Sequence, residues 1–257
     1  MVLKDFINLC EKHNVIYFLF AGTTLGAIRH GGFIPWDDDI DIIMPRREYE
    51  KFLKIADVEL KEKYDLLEMN KYDDYYLAFA KLSLKGTKFV ERLDDKLSFN
   101  IGIGIDIFPL DKVPSNNFKG KFYAFRCRIL AHLLINSVLK ISNPSKIKRT
   151  IQNILYYLLK IIPSFTSFIK SKINKLYPKY VDIDSEYLIQ HFDTGGIIFY
   201  NAKDFKTVKK VKFEDIEANV PCNYDGYLTH EYGDYMELPP EDKRINHAPE
   251  FIDFGKY

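Results

Sequence analysis

The spacing of apolar residues in the first part of the chain predicts alternating helices and strands. Residues 2–13 carry apolar side chains every three or four positions among charged ones, which is typical of a short amphipathic helix. VIYFLF at 15–20 is an unbroken run of branched and aromatic residues, which favours a buried strand. AGTTLGAIRHGG then predicts a short helix that ends at a glycine pair, and IDIIMP predicts a second strand.

The same pattern continues to about residue 114. Arg46 to about Lys63 predicts a charged amphipathic helix, and three segments predict further strands: YDLLEM, YYLAFAKLSL and IGIGIDIFPL. This mixture is typical of an α/β (α+β) fold. Beyond residue 181 we expect a short helix at SEYLIQHF, a hairpin at TVKKVKFEDIEANVP, and a helix at NYDGYLTHEYGDYM that ends near Gly233.

The middle of the chain has a different character. FYAFRCRILAHLLINSVLKI and IKRTIQNILYYLLKII predict helices, and Pro144, Pro163 and Pro178 punctuate the helical stretches. We therefore divide the chain into a core at 1–115, a basic helical segment at 116–180, and a C-terminal part at 181–257 that completes the core.

Charge is unevenly distributed, although 37 Lys and Arg residues nearly balance 36 Asp and Glu. The overall balance gives no indication of a nucleic-acid partner. Between Asp111 and Asp182, however, the chain carries 14 basic residues and no acidic one. Helices that combine apolar stripes with Lys and Arg are typical of segments that lie on an anionic membrane surface. The alternative is a helical subdomain packed on the core, with its basic face in solvent.

Three features concern the cellular compartment. Cys10, Cys127 and Cys222 lie far apart and form no CxxC pair, which argues against a zinc site or a disulfide framework. The N-terminus has interleaved charges, unlike a signal peptide, and no apolar run reaches the roughly 18 residues of a spanning helix. We expect a cytoplasmic protein and regard peripheral contact with the inner membrane face as a hypothesis.

The stretch GGFIPWDDDIDIIMP at 31–45 concentrates four aspartates beside apolar residues. If its end forms a strand, Asp37, Asp39 and Asp41 point to one face, whereas Asp38 shares the face of the isoleucines and has no assigned role. Carboxylates at i and i+2 stand about 7 Å apart at the backbone, close enough to share a cation. Because aspartate is disfavoured in strands, we interpret the cluster as ligands of a divalent metal.

A third carboxylate for such a site comes from IGIGIDIFPL. On a strand the isoleucines share one face, which leaves Gly102, Gly104 and Asp106 on the other. Two positions without side chains predict open space beside the Asp106 carboxylate, as a metal-phosphate complex requires.

Two other interpretations of the aspartates are weaker. A calcium loop that starts at Asp37 would place Glu48 at its twelfth position, but its sixth position must be glycine and is Ile42 here. A solvated acidic turn is disfavoured because Pro35 and Trp36 precede the aspartates and regularly spaced isoleucines follow them.

The segment AGTT lies where a strand meets a helix. Gly22 permits close backbone approach, and the amides of a helix start, with the hydroxyls of Thr23 and Thr24, suit a phosphate. A simple N-cap would explain the same residues. Followed by Asp-x-Asp, the segment matches the arrangement of a nucleotidyltransferase site. Arg29 and Lys81 are then candidates for phosphate contact, or else ordinary surface charges.

Four motifs together resemble the LicD family of phosphotransferases, relatives of fukutin and fukutin-related protein: AGTTLGAIRHGGFIPWDDDIDI, AKL, GIDIFPLD and YGDYMELPPEDKRINH. The resemblance covers about residues 5–115 and 210–250. The cysteine-rich zinc element of the fukutin-related branch has no counterpart in the sequence, so the resemblance is to the bacterial side of the family.

This resemblance implies a polymerase-β-type nucleotidyltransferase fold with a mixed sheet, and the basic helices as an insertion. It implies transfer of a phospho-alcohol, typically phosphocholine from CDP-choline with CMP leaving, onto a glycan such as a teichoic acid or a lipid-linked saccharide. CDP-ribitol and CDP-glycerol are alternative donors, and addition of a nucleotide to a sugar phosphate or hydroxyl is an alternative reaction. A non-catalytic binding relative is disfavoured by the intact carboxylates.

The resemblance also assigns roles by position. Asp39 and Asp41 match the family's metal-binding pair, and Asp106 matches its third carboxylate. Mg²⁺ or Mn²⁺ held there would bridge the donor diphosphate, and Asp106 would take the proton of the acceptor hydroxyl. Asp37 matches an acidic position and is a candidate for substrate contact.

Further candidates for substrate contact come from the C-terminal motif and its neighbours. Arg244 and His247 could contact the donor phosphates or merely cap the fold. A choline donor would be bound by an aromatic box, with up to about 2 kcal/mol per desolvated contact. Five aromatic residues could form this box or simply pack in the interior: Trp36, Tyr224, Tyr227, Tyr232 and Tyr235.

Overall fold

The computed structural model describes residues 1–90, 97–115, 117–140, 145–191, 197–244 and 249–257. Its helices are α1 (Val2–Lys12), α2 (Ala21–Arg29), α3 (Arg46–Glu59), α4 (Phe118–Val138), α5 (Lys146–Ile161), α6 (Phe165–Leu176) and α7 (Tyr224–Tyr232). Its strands are β1 (Phe18–Leu19), β2 (Asp41–Pro45), β3 (Tyr64–Leu67), β4 (Ala80–Leu84), β5 (Lys88–Val90), β6 (Gly104–Val113), β7 (Tyr187–Ile189), β8 (Phe199–Asn201), β9 (Val208–Phe213), β10 (Ile216–Pro221) and β11 (Phe251–Asp253). The predicted mixture of helices and strands is confirmed, and the first strand is shorter than its apolar run.

The strand β6 is the centre of a seven-stranded mixed sheet, in which five strands follow the order β1-β2-β6-β4-β3. β2 runs parallel to β6, and β4 runs antiparallel to it. The last residues of β6 pair with β7, which in turn pairs with β8. The predicted mixed sheet is confirmed. The assignment to the polymerase-β-type nucleotidyltransferase fold stays a prediction.

Alternate side chains of β2 and β6 enter two hydrophobic cores. Ile42 and Ile107 are fully buried in the core that contains Phe52 of α3. Ile43 and Phe108 belong to the other core, to which α4, α6 and α7 contribute. Because successive residues of a strand point to opposite faces, the two cores lie on opposite sides of the sheet. A slip of one residue would exchange these side chains between the cores, so the register of β2 against β6 is strongly specified.

The basic helical segment packs against the second core through α4 and α6. Tyr123 of α4 is buried, and its hydroxyl donates to the carbonyl oxygen of Tyr177 at 2.7 Å. Ile169 and Ile173 of α6 are buried in the same core. In α5, which is described throughout, Leu159 is the one buried side chain. The inner faces of α4 and α6 thus form a packed subdomain, whereas α5 lies at the surface.

Within the described ranges, no helix combines the length and the apolar character needed to cross a bilayer.

The C-terminal part confirms two predictions and contradicts one. β9 and β10 form the predicted hairpin, and α7 ends at Gly233, whose φ of +70° favours glycine. The helix predicted at SEYLIQHF is wrong, because Tyr187–Ile189 is the strand β7. The backbone at the end of β6 needs hydrogen-bond partners, which β7 supplies. Tertiary pairing here outweighs the local helical pattern.

Candidate active site

Three charged side chains form a row across the adjacent strands β2, β6 and β4. Asp41 on β2 is in register with Asp106 on β6, and Asp106 is in register with Lys81 on β4. Residues in register on neighbouring strands point to the same face of a sheet. Lys81 Nζ lies 2.6 Å from Asp106 Oδ1, and these side chains are 17% and 19% exposed. Two carboxylates that are distant in sequence therefore meet at one position of the sheet.

The backbone of Asp41 is held from both sides. Its amide donates to Thr23 Oγ1 at 2.9 Å, and its carbonyl oxygen accepts from the amide of Phe20 at 2.9 Å. Burial, followed by the negative charges of Asp39 and Asp106, holds the pKa of Asp41 well above its usual range, while Lys81 acts in the opposite direction. The site therefore concentrates more negative charge than Lys81 compensates.

Asp37 and Asp39 do not continue the row, contrary to the prediction that they share a strand face with Asp41. The strand begins at Asp41, and the preceding residues form a turn in which the Asp37 amide donates to the carbonyl oxygen of Ile34 at 2.9 Å. Asp39 lines a narrow cleft of about 80 Å³ together with Lys81 and Asp106. Asp37 lines a different, wider groove.

The glycines before Asp106 also have a reason other than the predicted one. A Cβ atom on Gly104 would lie 2.4 Å from the carbonyl oxygen of Leu82, and one on Gly102 would lie 2.5 Å from that of Leu84. These positions lack side chains because the backbone of β4 approaches them closely. Both glycines also line the narrow cleft beside Asp106, in agreement with the predicted space there, although that space is only about 80 Å³.

The start of α2 supports the site mainly through packing. The side chains of Thr23 and Thr24 are buried, so their hydroxyls do not face the groove as the phosphate-binding prediction required. The Thr23 hydroxyl instead holds the amide of Asp41. Gly22 does lie at the groove, where a Cβ atom would be 2.8 Å from Asp37 Oδ2. Here the glycine permits close approach of an acidic side chain.

The wider groove has a volume of about 500 Å³ and lies between the start of α2 and the segment after α7. Its lining combines aromatic and acidic side chains: Trp36, Tyr232, Tyr235, Asp37, Asp234 and Glu237. The pKa of Tyr232 is raised by partial burial and by the charges of Glu231, Asp41, Asp37 and Asp39. Gly22 lines the groove and its neighbour Thr23 binds the Asp41 amide, so the groove lies close to the row of carboxylates. We call it the aromatic groove.

Two arginines lie beside the aromatic groove. The Arg29 guanidinium donates to the carbonyl oxygens of Tyr235 at 2.8 Å and Glu237 at 3.3 Å. The Arg244 guanidinium lies over the ring of Trp36, 5.2 Å from its centroid. Burial and the positive charge of Arg244 lower the pKa of Arg29. Two guanidinium groups near one another favour the binding of a phosphate-containing ligand.

The remaining predicted residues lie elsewhere. Tyr227 is buried and its hydroxyl accepts from the amide of Ala21 at 2.8 Å, so it fixes the start of α2. Tyr224 lies under Lys209, whose Nζ is 4.7 Å from the ring centroid. These two tyrosines are packing residues and not members of a box. His247 lies outside the described residues.

Sequence reasoning missed Asp234 and Glu237 as groove residues. Both residues belong to the C-terminal motif, where Gly233 and the proline pair require the chain to turn. Their position in this turn is the sequence signal that could have indicated them. The carbonyl oxygens that bind Arg29 have no sequence signal, because every residue carries one.

The predicted metal ligands are only partly brought together. Within the described residues, no group of three or more His, Cys, Asp or Glu side chains converges on one metal position. Lys81 supplies the positive charge next to Asp106. The repulsion that raises the pKa of Asp41 still fits a divalent cation, which prefers oxygen ligands and would neutralise the excess charge. The ligand set of Asp39, Asp41 and Asp106 stays a prediction.

Comparison with known proteins links this site to one family. The family model described as LicD/FKTN/FKRP, nucleotidyltransferase domain, matches residues 14–126. This range includes Gly22, the aspartate stretch, Lys81 and Asp106.

Individual relatives extend the match along the chain. The sequence is 31% identical over 260 residues to the lipopolysaccharide cholinephosphotransferase LicD of Haemophilus influenzae, covering 97% of this chain and 93% of the relative. It is 29% identical over 125 residues to an uncharacterised protein of Rickettsia typhi, covering 46% of this chain and 39% of that protein. The first match includes the basic helical segment and the C-terminal part, which carries the aromatic groove.

Proposed function

The chain belongs to the LicD family of phosphotransferases, and from this premise we propose that it transfers phosphocholine from CDP-choline to a hydroxyl of a cell-surface glycan, with CMP leaving. The observation that carries the proposal is the row of Asp41, Asp106 and Lys81 near the aromatic groove. The name of the Haemophilus influenzae relative supports a lipopolysaccharide acceptor over a teichoic acid or another lipid-linked saccharide.

The aromatic groove supports choline as the transferred alcohol. A quaternary ammonium group is bound by aromatic faces and by nearby negative charge. Trp36, Tyr232 and Tyr235 supply the rings, and Asp37, Asp234 and Glu237 supply the charge. CDP-glycerol and CDP-ribitol carry neutral polyols that gain less from either feature, and they are the alternative donors.

The reaction balances without a further reactant. The acceptor hydroxyl attacks the phosphorus that bears choline, its proton passes to Asp106, and the bond from that phosphorus to the oxygen of CMP breaks. Lys81 holds the Asp106 carboxylate in position through their ion pair. Arg29 and Arg244 lie where they would stabilise the negative charge of the diphosphate and of departing CMP.

A divalent cation is part of the proposal. We assign Mg²⁺ or Mn²⁺ to Asp39, Asp41 and Asp106, on a core of the polymerase-β-type nucleotidyltransferase fold. When bound, the ion would neutralise charge on the donor diphosphate. The excess negative charge at Asp41 supports this assignment. We further propose that the enzyme acts on the cytoplasmic side, at the inner membrane face, where a lipid-linked acceptor is presented.

Product analysis tests the proposal. The intact protein is incubated with lipopolysaccharide, Mg²⁺ and, in turn, CDP-choline, CDP-glycerol, CDP-ribitol and nucleoside triphosphates, and CMP and pyrophosphate are followed. We expect CMP and choline-modified glycan from CDP-choline, loss of both with a chelator, and recovery with Mg²⁺ or Mn²⁺. Asp106→Asn should release no CMP, whereas Asp65→Asn, at a half-exposed position of β3, should behave as wild type.

Nucleotide transfer is the second candidate reaction. The description of the matching domain as a nucleotidyltransferase favours it. Release of pyrophosphate from a nucleoside triphosphate, without CMP from any CDP-alcohol, would overturn phosphocholine transfer in its favour.

A further inference from the structure

The surface helix α5 exposes a continuous row of large apolar side chains. The row follows a spacing of four, three, four and three residues, so its members lie on one face of the helix. Their exposed fractions lie between 55% and 75%: Ile147, Ile151, Ile154, Leu158 and Ile161. Exposed apolar rows of this length are unusual on a protein that has no partner for them.

The helix α4 exposes a second row with the same spacing. Its members have exposed fractions between 40% and 84%: Phe118, Phe122, Phe125 and Ile129. The opposite side of α4, with Tyr123, Ala124 and Cys127, is buried in the core. Since the core is already filled by that side, the exposed row is available for another partner.

The charged residues in the segment that carries the two rows are all positive. No acidic residue occurs between Asp111 and Asp182, and 14 basic residues do. Several of these cations lie over aromatic rings: Arg126 over Phe122 at 5.9 Å and Lys160 over Tyr156 at 5.6 Å. Such side chains place their apolar stems along a hydrophobic surface and their charged ends at its edge.

We propose that the exposed rows of α4 and α5 form a docking surface for an anionic lipid bilayer, on which the protein sits peripherally. Apolar side chains would enter the acyl boundary, and the surrounding Lys and Arg would contact lipid phosphates. A second copy of the chain is a poorer partner, because two such surfaces would place like charges against each other with no acidic residue to pair them. The inference rests on the proposed function insofar as docking would bring the site to a lipid-linked acceptor.

Vesicle flotation of the full-length protein tests the surface. The vesicles are phosphatidylcholine alone, or phosphatidylcholine mixed with phosphatidylglycerol in equal parts. We expect wild type to float with the anionic vesicles only. The double variant Ile154→Glu and Leu158→Glu should reduce the bound fraction about tenfold or more. Val58→Glu, at an equally exposed position of α3, is the matched control and should float as wild type.

Several results would overturn the docking surface. Failure of wild type to float, or equal flotation of wild type and the double variant, contradicts it. Sedimentation of a wild-type dimer that the double variant abolishes, without flotation, would identify a second copy as the partner instead. CMP release from CDP-choline without vesicles is measured in parallel. If the double variant loses flotation but still releases CMP, the result supports docking. If wild type floats but neither wild type nor any variant releases CMP, the result counts against the proposed function alone.

Discussion

Lys81 and Asp106 lie opposite each other on antiparallel strands, with Lys81 Nζ 2.6 Å from Asp106 Oδ1. On the other side of Asp106, the parallel strand β2 places Asp41 in the same row. The row thus holds two carboxylates and one lysine, and it keeps an excess of negative charge. Such an excess is expected at a site that receives a further cation.

Replacing Lys81 with Met should lower CMP release about a hundredfold, because the proposed base Asp106 loses the partner that positions it. The fall should appear in kcat more than in KM, since Lys81 would act through Asp106. Steady-state kinetics with CDP-choline measure both constants. Lys85→Met is the matched control, since Lys85 belongs to an exposed ion pair with Asp65. Equal kinetics of Lys81→Met and wild type would remove Lys81 from the site.

Replacing Asp41 with Asn should abolish CMP release. In the presence of a chelator at neutral pH, the same substitution should raise the melting temperature of the protein. Burial and the charges of Asp39 and Asp106 disfavour the ionised form of Asp41, so removal of its charge relieves repulsion. Mg²⁺ should then raise the melting temperature of wild type and not that of the variant. Thermal unfolding with and without Mg²⁺ measures both effects, and a less stable variant in the chelator would contradict the assigned repulsion.

Replacing Trp36 with Leu should weaken recognition of CDP-choline selectively. The loss of one aromatic face corresponds to about a tenfold rise in KM. The KM for CDP-glycerol should change little, because its polyol carries no cation, and Trp36→Phe should restore most of the CDP-choline affinity. Tyr224→Leu is the control, since Tyr224 lies under Lys209 outside the aromatic groove. Equal changes for both donors would exclude Trp36 as a choline-binding residue.

The parts of the site that strand periodicity controls could be predicted from the sequence. Asp41 is followed by the buried Ile42 and Ile43, and Asp106 lies between two buried isoleucines, so both aspartates belong to strands in the interior of the sheet. The sequence did not predict that Asp37 and Asp39 line different clefts, because their positions depend on a turn that precedes the hydrogen-bonded strand β2. The contact of Arg29 with the carbonyl oxygen of Tyr235 could not be predicted either, since it joins residues distant in sequence through the backbone. Strand β7 pairs with the end of β6 and with β8, and its local sequence gives no indication of these partners.

A buried ion pair joins Asp111 of the same strand β6 to Arg46 of α3, and it contributes to the response of the fold to acid. Asp111 is 1% exposed, and its carboxylate accepts from Arg46 Nε at 2.7 Å and from a terminal nitrogen of Arg46 at 2.5 Å. Burial alone would raise the pKa of Asp111, but the charge and hydrogen bonds of Arg46, together with His191, hold it below its ordinary value of 3.8. A carboxylate with a lowered pKa in the folded state stabilises the protein above the unfolded-state pKa, and this stability is lost as the pH falls through the folded-state value.

Replacing Asp111 with Asn should therefore lower the free energy of unfolding by about 3 to 5 kcal/mol at neutral pH, because Arg46 is left buried without its counter-charge. The difference between variant and wild type should shrink below the ordinary carboxyl pKa of 3.8, where wild type loses the same contribution. Urea unfolding across a series of pH values measures both effects. The adjacent pair of Arg47 and Asp182 is exposed, so Asp182→Asn should change stability by less than about 1 kcal/mol. A pH-independent difference for Asp111→Asn would show that the loss comes from packing and not from the ion pair.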